Sequence, residues 1–176
     1  MGFLIKNRIR RIKRQIISHK GKELQNLLFL DVDGVLCPTS YLDIYSYSKT
    51  AIEFVNSLAE EYGLIIVFIS SRRLYPEIWK QTQRSLLQAG LKEKYITCDP
   101  DPGWLSEDHS EAVLNYLNNH VCKIFVIVDD TDFYSGTSSL DLFHIKPDPV
   151  CGFSEIDFEK VKKKLNSFDN ILAVWK

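Results

Sequence analysis

A short apolar run that ends in two aspartates constrains this chain more than any other feature. Its residues are Leu28-Phe29-Leu30-Asp31-Val32-Asp33-Gly34. In a parallel sheet such a run forms a buried strand, and open α/β folds bind their ligands at the carboxyl ends of strands. Side chains two positions apart lie on the same side of an extended backbone, so the carboxylates of Asp31 and Asp33 face one way. Adjacent negative charges repel unless a proton or cation relieves them, so the pair predicts a divalent metal site with oxygen ligands.

Strand patterns alternate with amphipathic helix patterns along the rest of the chain. Apolar runs predict strands over residues 27–32, 64–69 and 124–128, and weaker patterns predict strands near residues 95–97, 142–145 and 171–175. Helix patterns cover residues 48–63, 76–90 and 106–119, and a last one contains Phe158, Val161, Leu165 and Phe168. We predict an α/β fold with a mainly parallel sheet and helices on both faces.

Residue types at the predicted helix ends support these boundaries. Ser48 and Ser106 are of the type that caps the amino end of a helix. Pro76 suits a first helical turn, and Gly63 and Gly90 suit the residues just after a helix.

The first 22 residues form a basic leader in front of an acidic body. They contain eight lysines and arginines and no acid, so the net charge of -1 divides into +8 for the leader and -9 for the remainder. Ile5, Ile9, Ile12 and Ile16 fall on one face of a helix. This pattern predicts an amphipathic helix over residues 1–22, distinct from a catalytic domain over residues 27–176. Three interpretations stay open: a helix that is solvated or docked on the core, a helix that lies on an anionic membrane through residues 3–20, and an organelle-targeting presequence.

Cysteine spacing and hydropathy bound the cellular setting. The four cysteines, at positions 37, 98, 122 and 151, have no Cys-x-x-Cys pair, so neither a zinc site nor a disulfide framework is indicated. No apolar stretch approaches the roughly 20 residues that span a bilayer. We expect a cytoplasmic protein, with peripheral membrane association if the leader binds lipid.

Polar residues follow three of the predicted strands. Asp31 and Asp33 follow the first, Ser70 the second, and Asp129 with Asp130 the third. The carboxyl ends of parallel strands meet at one edge, where these carboxylates can hold Mg²⁺. The Ser70 hydroxyl and the guanidinium groups of Arg72 and Arg73 would face the same point. A nucleophile, a metal and donors to an oxyanion are the requirements of phosphoryl transfer.

These segments resemble the motifs of the haloacid dehalogenase (HAD) superfamily. The stretch from Leu28 to Leu36 resembles its motif I, Val67-Phe68-Ile69-Ser70 its motif II, and Ile127-Val128-Asp129-Asp130 its motif IV. The similarity runs from about residue 27 to at least residue 165. Within the superfamily, Ser70-Ser71-Arg72-Arg73 and residues 148–154 resemble the branch named after Swiss-army-knife RNA repair proteins.

The resemblance implies a role for each residue. Asp31 would attack phosphorus and form an aspartyl-phosphate, and Asp33 would protonate the leaving oxygen and then activate water. Mg²⁺ would bind Asp31, the Asp33 carbonyl and Asp130, with Asp129 assisting. Ser70 would hydrogen-bond the phosphoryl group.

One expected element departs from the family pattern. Motif III supplies a lysine or arginine upstream of motif IV, yet residues 100–122 contain neither. We consider Arg72 first as the substitute, because it follows motif II, and then His109 and Lys123.

The short intervals between motifs predict a protein without a large cap domain and with an open site. An open site suits phosphates displayed on macromolecules. We expect Ser71, Tyr41 and Trp104 to contact substrate, the two aromatic rings by stacking. The favoured partner is a phosphotyrosyl protein, and the second is a nucleic acid with a terminal phosphate. A catalytically weak, membrane-tethered binding module is the alternative from a different class.

Overall fold

Four parallel strands make the sheet of the computed structural model, which describes residues 24–97, 104–120, 122–132 and 140–174, with side chains to residue 167. The strands are β1 (Gln25–Leu30), β2 (Leu64–Phe68), β3 (Cys122–Val128) and β4 (His144–Ile145). They lie in the order β2-β1-β3-β4, and every neighbouring pair is parallel. Strand β1, which ends at the aspartate pair, therefore lies inside the sheet between β2 and β3.

Helices cover both faces of this sheet, as predicted. They are α1 (Lys49–Tyr62), α2 (Pro76–Gln88), α3 (His109–Asn119) and α4 (Glu155–Val174). The alternation of β1 side chains explains the two layers. Leu28 and Leu30 belong to the core cluster that α1, α2 and α4 share, whereas Leu27 and Phe29 belong to the cluster that α3 covers. The fold prediction is confirmed.

Local sequence signals set several helix ends. The Ser48 hydroxyl accepts a hydrogen bond from the Ala51 backbone N–H at 3.2 Å and so satisfies a donor at the start of α1. Gly63 ends that helix with a φ of 60°, a conformation that residues with a Cβ adopt only with strain. Pro76 is the first residue of α2, where its missing N–H costs nothing.

The start of α3 differs from the prediction. Its cap is Asp108, whose Oδ1 accepts hydrogen bonds from the backbone N–H groups of Ser110 at 2.8 Å and Glu111 at 3.2 Å. Ser106 instead donates its hydroxyl to the Glu111 carboxylate at 2.7 Å. Ser106 and Asp108 are both residue types that cap helices, and it is the Asp108 carboxylate that caps α3.

Three predicted strands are also corrected. The tail is helical as far as Val174, so the strand predicted over residues 171–175 is wrong. A 3₁₀ turn over Glu93–Tyr95 precedes an isolated bridge between Ile66 and Ile96. Another 3₁₀ turn over Asp141–Phe143 leaves only His144–Ile145 as strand.

The intervals between the motifs contain core elements. In the described ranges, β1 and β2 are joined by a loop and α1, and no inserted domain stands over the strand ends. None of the helices within those ranges is long and apolar enough to cross a membrane. The basic leader lies outside the described residues, and its three interpretations stay predictions.

Candidate active site

The sheet brings the predicted polar residues to one edge. The hydrogen bonding of the strands continues into the site, because the Asp31 N–H donates to the Val128 carbonyl at 3.0 Å. The Asp129 N–H donates to the Ile145 carbonyl at 3.2 Å. Ser70 lies two residues beyond β2. Asp31 and Asp129 are thus held by the backbone of the sheet rather than by mobile loops.

Asp31 is a buried carboxylate that lacks a full set of partners. Only 3% of the residue is exposed, and within the described residues no hydrogen bond reaches its Oδ1 atom. Burial, together with repulsion from Asp129, raises the pKa of Asp31 to about 7. An unsatisfied buried carboxylate oxygen is costly, and a bound cation removes that cost.

Asp129 forms an ion pair with His109. Its Oδ2 accepts a hydrogen bond from His109 Nδ1 at 2.6 Å. Its Oδ1 accepts from the Thr131 N–H at 2.9 Å and from the Thr131 hydroxyl at 2.5 Å. Burial alone would raise the pKa of Asp129, but these hydrogen bonds and the His109 charge hold it below its usual range.

The same contact favours the charged form of His109. Burial would lower the pKa of His109, but the hydrogen bond to Asp129 and the charges of Asp31 and Asp130 raise it. Ligand atoms of Asp31, His109 and Asp129 all lie within 4.8 Å of one another. His109 therefore lies beside the predicted nucleophile, where the neighbouring carboxylates favour its charged form.

Asp130 lies directly over Gly34. A Cβ built on Gly34 would come within 2.2 Å of Asp130 Oδ2, and the φ of 68° at Gly34 also favours glycine. Burial raises the pKa of Asp130, and repulsion from Asp129 adds to the rise. The glycine after motif I thus makes room for a third carboxylate.

The chemistry of Asp31, Asp129 and Asp130 suits a Mg²⁺ ion, and ligand atoms of Asp31 and Asp129 lie within 4.8 Å of each other. All three offer hard oxygen ligands. The pKa values of Asp31 and Asp130 are raised by burial and by repulsion from Asp129, and one Asp31 oxygen is buried without a hydrogen bond from the described residues. All three features indicate a site short of positive charge.

The Asp33 carboxylate binds Arg72. Arg72 donates from Nε to Asp33 Oδ2 at 2.8 Å and from Nη2 to Asp33 Oδ1 at 2.5 Å. Its Nη1 donates to the Tyr47 hydroxyl at 3.2 Å and to the Thr82 hydroxyl at 3.4 Å. Burial would lower the pKa of Arg72, but the bonds to Asp33 raise it above its ordinary value. The Asp33 carboxylate is therefore not placed as a metal ligand, which leaves its backbone carbonyl for the role that the resemblance implies.

The three candidates for the motif III cation lie in different places in the structure. Arg72, the first choice, binds Asp33 rather than Asp31. Lys123 is the second residue of β3, at the amino end of the strands, and lines a cavity there with Asn26 and Tyr62. His109 is the first residue of α3 and lies beside Asp31. The sequence did contain a signal for the position of His109. The capping residue Asp108 directly precedes it and so places His109 at the start of the helix.

The predicted substrate contacts have different outcomes. Ser70 is buried, and its hydroxyl accepts from the Arg72 N–H at 3.5 Å. Ser71 and Tyr41 are exposed, and Tyr41 has 42% of its surface free. Their contacts with substrate stay predictions.

Trp104 is the exception, because it is only 1% exposed and packs edge-on against Tyr116 in the core. The Arg73 guanidinium lies over the Trp104 ring at 4.4 Å. Trp104 therefore does not line the entrance, and the prediction that it stacks on substrate is wrong.

Sequence reasoning missed the residues that support the site. Thr131, Tyr47 and Thr82 fix Asp129 and Arg72 by side-chain hydrogen bonds, and His144 Nε2 donates to the Asp129 carbonyl at 2.7 Å. Only Thr131 had a signal, since it directly follows motif IV.

Comparison with known proteins agrees with this geometry. A family model described as the HAD domain in Swiss Army Knife RNA repair proteins matches residues 27–158, which is well over half of the chain. Comparison with curated proteins and with solved structures finds no match. The matched range begins in β1 and contains every residue of the aspartate site. The chain therefore belongs to the HAD superfamily, in the family of HAD domains of Swiss Army Knife RNA repair proteins.

Proposed function

We propose that this phosphatase is a Mg²⁺-dependent phosphomonoesterase that works through an aspartyl-phosphate on Asp31. The observation that carries the proposal is the Asp31 carboxylate, which has one buried oxygen that no described residue satisfies and which lies beside His109 and Asp129. A nucleophile needs a lone pair that is not engaged in hydrogen bonds, and this oxygen has one.

The reaction divides into two displacements. An Asp31 oxygen attacks phosphorus, the bond from phosphorus to the leaving oxygen breaks, and that oxygen takes a proton from Asp33. Water then attacks the aspartyl-phosphate and gives a proton to Asp33, and breakage of the bond to Asp31 releases phosphate. The fork of Arg72 holds the Asp33 carboxylate in one orientation for both proton transfers.

Asp31, Asp129 and Asp130 would hold the metal. When bound, Mg²⁺ neutralises charge on the phosphoryl oxygens. His109 supplies the second positive charge and keeps Asp129 ionised, and the Ser70 hydroxyl is left to donate to a phosphoryl oxygen.

A nucleic acid with a terminal phosphate now fits better than a phosphotyrosyl protein. The case for an aromatic entrance that stacks on phosphotyrosine is weaker, because Trp104 is buried and only Tyr41 of the two expected rings is exposed. The family's description as RNA repair proteins supports a nucleic-acid end. A non-catalytic module has less support, because His109 lies beside Asp31 and could take the role of the missing lysine.

Hydrolysis of 4-nitrophenyl phosphate tests the mechanism. Activity should require Mg²⁺, stop with EDTA and vanish in Asp31→Asn, while the exposed control Asp141→Asn keeps it. Acid-quenched wild-type protein should carry phosphate that hydroxylamine releases. Activity that persists in Asp31→Asn would contradict the covalent route. Faster turnover of a phosphotyrosyl peptide than of end-phosphorylated oligoribonucleotides would restore the protein substrate.

A further inference from the structure

A groove with four lysines lies beside the active site. It is a cavity of about 490 Å³ between β4 and helix α4. Lys146, at the end of β4, lines one side, and Lys160, Lys163, Lys164 and Ser167 line the other. We call it the lysine groove.

The sequence of α4 explains why the lysines gather there. Lys160, Lys163, Lys164 and Ser167 are spaced by three and four residues, so they lie on one face of the helix. Val161 and Leu165 lie on another face and are buried in the core. The helix is thus anchored by one face and presents a row of ammonium groups with the other.

The lysine groove is joined to the active site by direct contacts. His144, in its floor, donates from Nε2 to the Asp129 carbonyl at 2.7 Å. Lys146 forms an ion pair with Asp132, three residues beyond Asp129. A ligand bound in the groove therefore continues toward the strand ends where the phosphate is hydrolysed.

The lysine ammonium groups still have hydrogen-bond donors with which to bind an anion. Lys160 binds Asp157 at 2.8 Å, and Lys164 donates to the Leu142 carbonyl at 2.7 Å. An ammonium group has three donors, so each retains others. Burial lowers the pKa of Lys164, and a bound anion would oppose that effect. Lys163 is exposed.

We propose that the lysine groove binds the phosphodiester backbone of a single-stranded nucleic acid whose phosphorylated end enters the active site. This inference rests on the proposed function and extends it. Several lysines in a row and no arginine provide point charges for successive phosphates, whereas an acidic peptide is better matched by the bidentate fork of arginine. Positive grooves that follow the backbone are the usual way to bind single strands without sequence preference. Outside the leader the chain has a net charge of -9, which disfavours such binding over the rest of the body.

The test is binding of a 12-nucleotide single-stranded RNA without terminal phosphates to the full chain. Lys160→Ala/Lys163→Ala removes two charges from the groove. Lys162→Ala/Lys123→Ala is the matched control, because Lys162 pairs with Glu61 on another side of α4 and Lys123 lies at the opposite end of the strands. Melting temperatures confirm that both variants fold.

The groove variant should bind the RNA roughly tenfold more weakly, and its slope of log affinity against log salt should fall by about 1.4, about 0.7 for each lost phosphate contact. The control should match wild type. Equal affinity of groove variant, control and wild type overturns the inference, as does an effect on binding of an acidic phosphopeptide or of anionic vesicles but not of RNA. The binding assay needs no turnover, so failure of the groove is distinct from failure of the phosphatase, which shows as absent hydrolysis by wild type.

Discussion

Arg72 grips Asp33 through two parallel hydrogen bonds of 2.8 and 2.5 Å, and Arg72 is itself buried while the Asp33 side chain is 52% exposed. A planar guanidinium fixes both oxygens of a carboxylate, which a lysine ammonium does not do. Arg72 therefore fixes the orientation of Asp33, the proposed acid/base.

Arg72→Lys should impair proton transfer more than binding. General acid catalysis contributes roughly 100-fold or more, so we expect kcat on an alkyl phosphate, whose leaving group needs a proton, to fall by about 10- to 100-fold. On 4-nitrophenyl phosphate, whose leaving group needs none, the loss should be much smaller. Tyr47→Phe removes one bond to Arg72 but keeps the fork, and should stay close to wild type. Equal losses on both substrates would show that Arg72 does not act through Asp33.

Asp31→Asn should stabilise the metal-free protein. Burial raises the pKa of Asp31 to about 7, whereas an unfolded chain has the ordinary value near 4. Between these values the folded state binds the proton more tightly, so this group's contribution to stability is lost as pH rises from about 4 to about 7.

Asparagine carries no charge to bury, so the Tm advantage of Asp31→Asn in EDTA should grow over that pH window and level off above it. We expect about 3 °C or more at pH 8, the shift that roughly 1 kcal/mol produces in a chain of this size. Thermal melts at pH 5 and pH 8 measure it. A variant less stable than wild type at pH 8 would contradict the cost assigned to Asp31.

His109 should impose an alkaline limit on the reaction. Although burial opposes it, the bond to Asp129 raises the pKa of His109, so its charge persists above the ordinary range and is lost as pH rises further. His109→Gln should lower kcat by about 10- to 100-fold, the value of one hydrogen bond to a charged group. His109→Lys should retain activity and move the alkaline limb upward by at least one pH unit. His120→Gln, at the other end of α3, is the control, and an unchanged pH profile in His109→Lys would exclude His109 as the cation.

Gly34→Ala should abolish metal binding beyond its effect on stability. The new methyl would overlap Asp130, whereas Gly63 has a similar φ of 60° and nothing within 4 Å of the corresponding position. Both substitutions should cost about 1 kcal/mol or more from backbone strain. Calorimetric titration with Mn²⁺ should show binding in Gly63→Ala and none in Gly34→Ala. Equal affinities would remove Asp130 from the ligand set.

The sequence was sufficient wherever a local pattern decides the structure. The run before Asp31 and the similar run before Asp129 predicted parallel strands, and Ser48 and Gly63 predicted both ends of α1. Because the ends of parallel strands must meet at one edge, the carboxylate cluster followed from the strands alone.

Contacts that depend on packing between elements did not follow from the sequence. His109 and Asp129 are 20 residues apart in sequence, and the packing of α3 on the sheet brings them together. Trp104 has the same sequence character whether it lines an entrance or fills a core. The apolar residues 171–174 suit a strand or a helix equally, and their continuity with α4 decides for helix.

The two edge strands of the sheet, β4 and β2, bear on how readily the protein aggregates at high concentration. Strand β4 has only two residues, and the outer side of β2 is partly occupied, since the Thr97 N–H donates to the Ile66 carbonyl at 3.0 Å. Unpaired strand edges are the surfaces on which proteins associate into aggregates. In the described part of the chain, neither margin offers a long row of free backbone groups. Pairing between free strand edges is therefore a poor route to aggregation for the described part of this domain.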